Sequence, residues 1–272
     1  MSNPIWIPTF GREKVITLNQ LTRRDQERTN LVVANKDEGE RLTKGTSANY
    51  IVCPVQGKGV HIVRDWIMQQ CIEKKHEIVI MLDDDLKFHA CSGFSGDKKV
   101  FKIAFGSQVE EFITQCEDKA KRLAVGFTSF SQMFHNTTHF RWQENKDNAS
   151  TYFHRTKLAV NHQLKYAIPS VDDRHFILSV IELGYIVYSN TYITSTKVGK
   201  HGIGGEAAVG NRGKNHEESL RLLADRYPRF VRLYTTTSKS YIQNYGTDVA
   251  ARFYYANMAR YVQNGGNARD PR

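Results

Sequence analysis

Hydrophobic residues along the chain alternate between short unbroken runs and stretches where they recur every three or four positions, predicting strands and helices in turn. Residues 4–10 read as a strand, Gly11 and Arg12 as the turn out of it, and residues 14–21 as a helix with Val15, Leu18 and Leu21 on one face. Strands follow at 30–34 and 50–55. A helix over 60–74 then groups Val63, Trp66, Ile67 and Cys71 on one face and points Arg64 and Asp65 away from it. Five apolar residues, Ile78 to Leu82, run straight into Asp83, Asp84 and Asp85, closed by Leu86. A run of this kind is a strand buried on both faces, as in a parallel sheet covered by helices. The first 90 residues therefore predict an α/β fold with a mostly parallel sheet.

The second half keeps the alternation with longer interruptions. Residues 87–106 read as a loop or small hairpin, 109–122 as a helix, 123–130 as a strand, and 131–150 as a long polar and aromatic loop. A strand at 151–155 precedes a helix that starts at Asp172 and Asp173 and stops at Gly184, and the last clear strand is 185–193. Beyond it come a glycine-rich basic segment (197–214), a helix at 217–226 and another at 248–263. The expected organisation is a core over 1–196 and a basic, helical C-terminal segment over 197–272.

Charge changes this picture more than composition does. A 40% hydrophobic and 24% charged chain is an ordinary soluble one, but its net charge is +10. From residue 197 onward there are 13 Lys/Arg against 6 Asp/Glu, so most of the excess lies in the last quarter. A basic flank beside an acidic site points to a polyanionic partner, most simply nucleic acid. The four cysteines form no CxxC, and Cys71 and Cys116 fall on apolar helix faces. No run of 18 apolar residues is present. The expectation is a reduced, cytoplasmic protein without a membrane span.

Three like charges closing a buried strand are costly unless a cation offsets them. Carboxylate oxygens are hard ligands that suit Mg²⁺, Mn²⁺ or Ca²⁺, and Mn²⁺ or Mg²⁺ is the expected ion. Alternate residues of an extended chain share a side, which assigns Asp83 and Asp85 to one ion and turns Asp84 toward a ribose or a backbone amide. The competing reading is an acidic turn that solvates the strand end. Asp172 or Asp173 can serve as general base for an acceptor hydroxyl, or both can do no more than favour a helix start. His201, among glycines with Lys197 and Lys200 nearby, suits a loop closing over a diphosphate, with the imidazole as a further metal ligand; a plain flexible loop is the alternative. His216 is a lesser rival for that ligand. Thr9, Arg12 and Asp37 follow the first two strands on the same rim, where they can meet phosphate, ribose or base.

Residues 5–12 (IWIPTFGR) with Thr17 and Leu18, the Gly57-Lys58-Gly59 turn before a helix carrying Arg64-Asp65-Trp66, and the run from Ile80 to Leu86 together resemble nucleotide-sugar transferases of the GT-A fold. More narrowly, they resemble the TET-associated glycosyltransferases of phages, relatives of the base J glucosyltransferases. The resemblance covers residues 5–90, with Asp172-Asp173 and the His201 segment following in order. It implies a Rossmann-like core, a UDP-sugar donor and a divalent metal at Asp83 and Asp85. It also implies nucleotide contacts near Thr9, Arg12 and Asp37, and sugar transfer to the hydroxyl of 5-hydroxymethylcytosine or another hydroxymethylpyrimidine in DNA, in host cytoplasm if phage-encoded. A GT-A enzyme acting on a glycan or protein, and a metal-dependent nucleotidyltransferase, are the alternatives.

Overall fold

The computed structural model describes residues 3–96, 98–122, 142–145, 151–198 and 212–270. Its first half supplies β1 (Ile5–Pro8), β2 (Thr29–Val33), β3 (Asn49–Val52), β4 (Ile78–Leu82) and the hairpin β5 (Leu86–Ser95) and β6 (Lys98–Ile103). Between them lie α1 (Arg23–Glu27), α2 (Lys36–Thr43) and α3 (Val60–Glu73), and α4 (Gly106–Arg122) follows. The second half adds β7 (Trp142–Glu144), β8 (Thr151–Arg155), α5 (Thr156–His162), α6 (Asp172–Glu182), β9 (Tyr188–Asn190) and β10 (Ile193–Lys197). It closes with α7 (Arg212–Arg226), β11 (Val231–Thr235), α8 (Lys239–Tyr245), β12 (Val249–Phe253) and α9 (Tyr255–Gln263).

The central sheet runs β3-β2-β1-β4-β8; its first four strands are parallel, and β8 is antiparallel to β4. This is the mixed, mostly parallel, Rossmann-like α/β arrangement that the alternation of periods predicts. β4 is buried on both faces. Ile78, Ile80 and Leu82 pack toward Val109, Phe112, Ile113 and Cys116 of α4, while Val79 and Met81 pack toward Val63, Ile67 and Cys71 of α3 and toward α6. An apolar run without alternation is what two covered faces require.

Several expected boundaries move, each for a local reason. Residues 14–21 form only a short 3₁₀ turn, Thr17–Gln20, before α1. Thr17 gives its amide to the Asp84 carbonyl (3.2 Å) and its hydroxyl to the Asp83 carbonyl (2.6 Å), so these bonds go to the acidic turn and not into a helix. Residues 87–106 hold the β5–β6 hairpin. The strand expected over 185–193 is cut in two because the Asn190 side chain accepts from the amides of Tyr192 and Ile193, which makes a turn. Residues 248–263 are a strand followed by a shorter helix. The strand expected over 123–130, and much of the loop after it, lie outside the described residues.

The C-terminal segment shares the main core. Leu220 and Leu223 of α7, Val231 of β11, and Tyr255 and Met258 of α9 join the same apolar cluster as Trp6, Ile67 and Phe176.

Two buried histidines tie this core to pH. The His154 ring packs 4.8 Å from Phe176 and within hydrogen-bonding range of the Tyr166 hydroxyl (3.3 Å), and burial lowers its pKa to about 4. Burial and nearby Arg226 likewise lower His175 to about 4. Both are neutral when folded, whereas the unfolded chain protonates them near 6.5. Their contribution is intact above that value and falls as the pH drops toward 4, by roughly 2 kcal/mol each at pH 5. Asp85, raised to about 6, pulls in the opposite direction. The His154→Phe protein, similar in side-chain volume, should therefore lose roughly 2 kcal/mol less between pH 7.5 and 5 than the parent in urea titrations. An equal loss in both proteins would contradict this.

Candidate active site

β4 ends at Leu82, so the three aspartates form a turn and not an extended strand. The expected sharing of Asp83 and Asp85 by side therefore does not arise from strand alternation. Each carboxylate has its own surroundings.

Asp83 is committed to two cations: Arg64 Nη2 donates to its Oδ1 at 2.7 Å, and Lys197 Nζ to its Oδ2 at 2.8 Å. Burial opposes its charge, but Lys197 and Arg64 hold the carboxyl well below the usual carboxylate range. Asp84 accepts from Arg12 Nε at 3.0 Å. Burial raises it, with Arg12 and the Thr9 hydroxyl opposing. Asp85 is different. Arg12 Nη2 lies 3.6 Å from its Oδ2, while its Oδ1 is buried and has no hydrogen-bond partner among the described residues. Burial pushes Asp85 up to about 6; Lys197 opposes this, and Asp83 and Asp84 add to it.

The turn is clamped from both sides. Thr17 Oγ1 accepts from the Leu86 amide (3.0 Å) while donating to Asp83, and the Val198 amide donates to the Asp85 carbonyl (2.8 Å). Antiparallel pairing of β10 with β5 sets Lys197 opposite Leu86, which brings the ammonium to Asp83 from more than 100 residues away.

Arg64 is the residue that helical periodicity misplaces. It is buried, not turned to solvent, and its guanidinium bridges Asp83 and Asp172 (Nη1 to Oδ2, 2.7 Å) with its carbon 4.7 Å from the Tyr152 ring centre. Arg64 lies in the second turn of α3, and Gly59, at φ +114°, starts that helix in a backbone conformation that a side chain would strain. The motif Arg64-Asp65-Trp66 carried the signal; periodicity did not. The acidic pair at α6 is also divided. Val171 is the N-cap, Asp172 is buried on Arg64, and Asp173 stays half-buried in the first turn, accepting from the Arg174 amide.

Thr9 is buried at the end of β1, with its backbone carbonyl accepting from Gln56 Nε2. Asp37 is exposed in the first turn of α2. Its neighbour Glu38 turns inward, accepting from the Gly11 amide (2.7 Å) and the Ala34 amide (3.0 Å), and so holds the loop that carries Arg12. Glu38 had no signal of its own in the sequence. Lys200 and His201 lie outside the described residues. His216, the rival ligand, is occupied: Nδ1 is 2.8 Å from the Ser170 hydroxyl, Nε2 is 3.0 Å from the Tyr241 hydroxyl, and Tyr245 stacks on the ring.

Among the described residues no group of three or more His, Cys, Asp and Glu is arranged to hold a metal. The buried, unpartnered Oδ1 of Asp85 nevertheless fits a hard divalent cation whose other ligands come from phosphate and water. Three cations, Arg12, Arg64 and Lys197, stand around this turn at the carboxyl end of the central strand. The turn thus stands at the carboxyl end of a central strand in a mostly parallel α/β sheet, the place where open sheets of this kind generally bind ligands.

The family follows from comparison. The model of the TET-Associated Glycosyltransferase family matches residues 3–203, and the chain belongs to that family. The family is, by its description, one of glycosyltransferases. No curated protein matches the chain. Among solved structures, mannose-1-phosphate geranyltransferase from Thermus thermophilus is similar at 14% identity and a TM-score of 0.32, over 82% of this chain and 65% of that one. No described helix is long and apolar enough to cross a membrane.

Proposed function

We propose that the protein transfers a sugar from a UDP-sugar to the hydroxyl of a hydroxymethylated pyrimidine in DNA, with the donor diphosphate seated at the Asp83–Asp85 turn. The observation that supports this most is the buried Oδ1 of Asp85, without a partner among the described residues, beside Arg12, Arg64 and Lys197. Mn²⁺ or Mg²⁺ held by Asp85, with Asp83 behind it, would stabilise the diphosphate as a leaving group. Arg12 and Lys197, both reachable from solvent, neutralise phosphate oxygens. Arg64 stays buried and keeps Asp83 and Asp172 in place. Thr9 and Asp37 border the nucleoside side.

Asp172 is consumed by its ion pair with Arg64, so the proton of the acceptor hydroxyl falls to Asp173 if the reaction inverts the anomeric centre. With retention, Asp173 positions the acceptor.

The test is incubation with DNA containing 5-hydroxymethylcytosine or 5-hydroxymethyluracil, Mn²⁺ and a panel of UDP-sugars, read by nucleoside mass spectrometry. A mass increment on one modified base is expected. Asp173→Asn should lower kcat about 10²- to 10⁴-fold with little change in KM for the donor. Sugar found on a glycan acceptor and not on DNA would overturn the acceptor assignment.

A further inference from the structure

β11 and β12 form a two-stranded antiparallel ribbon with one face in the core; on the other, Arg232, Tyr234 and Arg252 are exposed and Ala250 is buried. Val231, Leu233, Ala251 and Phe253 turn inward and join the apolar cluster. The register sets Arg232 directly opposite Arg252 on the other face, with Tyr234 opposite Ala250. Like charges in directly opposed positions repel and weaken a ribbon. No carboxylate relieves them: neither arginine has an ion-pair partner among the described residues. Each instead lies over an aromatic ring, Arg232 over Tyr254 at 5.3 Å and Arg252 over Tyr234 at 5.7 Å, and Tyr234 is 47% exposed. From Arg229 to Tyr254 the chain has four Lys/Arg against one Asp/Glu.

The ribbon is tied to the acceptor side of the site. Arg174, next to Asp173, places its guanidinium 5.1 Å from the ring centre of Phe253 in β12. A two-stranded ribbon fits the major groove of duplex DNA, and the groove is also where a substituent on pyrimidine C5 projects.

We propose that the outer face of the β11–β12 ribbon is the docking surface for duplex DNA, with Arg232 and Arg252 on backbone phosphates and Tyr234 against the groove near the modified base. The proposal rests on the reading of DNA as the acceptor. It uses charge to position the duplex and leaves sugar chemistry to the Asp83–Asp85 turn.

The test compares the parent, Arg232→Ala/Arg252→Ala and Arg232→Lys/Arg252→Lys for binding to a labelled 20-base-pair duplex over a range of NaCl, by fluorescence anisotropy. Both arginines are exposed, and melting temperatures check that each variant is folded. The alanine pair should bind roughly tenfold or more weakly near 0.15 M salt, with the slope of log K against log salt reduced by about two, because two phosphate contacts are lost. The lysine pair should keep most of the slope, since lysine still meets phosphate as a point charge. A folded alanine pair with the parent's affinity and slope overturns the docking surface and leaves the acceptor reading standing. A parent that does not bind the duplex, or that binds anionic phosphatidylserine vesicles in its place, overturns both.

Discussion

Asp85→Asn is expected to leave a folded protein that transfers no sugar. The substitution is nearly isosteric and removes the carboxylate whose Oδ1 is buried without a partner among the described residues. If that oxygen holds the cation that stabilises the leaving diphosphate, several kcal/mol of transition-state stabilisation disappear, about 10³-fold or more in rate. Stability moves the other way. A carboxyl raised to about 6 is one whose ionised form the fold disfavours at neutral pH. A neutral amide relieves that cost, by about 3 kcal/mol. Transfer measured by nucleoside mass spectrometry and melting measured without metal check the two halves together. A destabilised Asp85→Asn protein, or an active one, would return the turn to a structural role. Opposed effects on activity and stability are what strain kept for function produces.

Arg64→Met is expected to cost a large share of the protein's stability. It strips the shared counterion from Asp83 and Asp172, both buried, and removes the guanidinium from the Tyr152 face. Breaking a buried ion pair by removing one partner costs about 3–5 kcal/mol, because a charge is left without compensation. Urea unfolding at neutral pH should show a loss of that order. Adding Asp172→Asn to Arg64→Met should recover part of it, since one stranded charge is then neutral, and the coupling between the two substitutions can be read from the double-mutant cycle. Independent, additive losses would mean that the network does not act as a unit.

The two predictions bear on different layers of the same turn. In the proposed reading Asp85 meets the ligand, and its loss should be felt in chemistry. Arg64 lies beneath the turn, and its loss is felt in folding. Asp83 stands between them, with Arg64 on one oxygen and Lys197 on the other, so a donor diphosphate that draws Lys197 away would act on Asp83 without touching it.

What the residues alone determine is local. An apolar run without alternation made β4 a strand covered on both faces, and the charge change after Leu82 placed an acidic turn at its carboxyl end. The helix of α3, the start of α6 at Asp172, and the basic excess beyond residue 197 were legible for the same reason: each depends on neighbours within one or two turns of chain. The short 3₁₀ turn at Thr17–Gln20 was not legible, because its hydrogen bonds go to carbonyls nearly 70 residues away. The ribbon was not legible either: β12 lies at the start of the expected helix over 248–263 and β11 lies between the expected helices, since two short strands with α8 between them give no long repeat.

Tertiary structure alone decided which charge meets which. Helical period orients Arg64 relative to its own helix and says nothing of Asp83 or Asp172, which come to it from 19 and 108 positions along the chain. Three adjacent aspartates are chemically alike in sequence. They become a pinned Asp83, an Arg12-paired Asp84 and an Asp85 with a free buried oxygen only once Arg12, Arg64 and Lys197 converge from three separate elements. Electrostatic roles depend on distance in space and on burial, and both are properties of the fold.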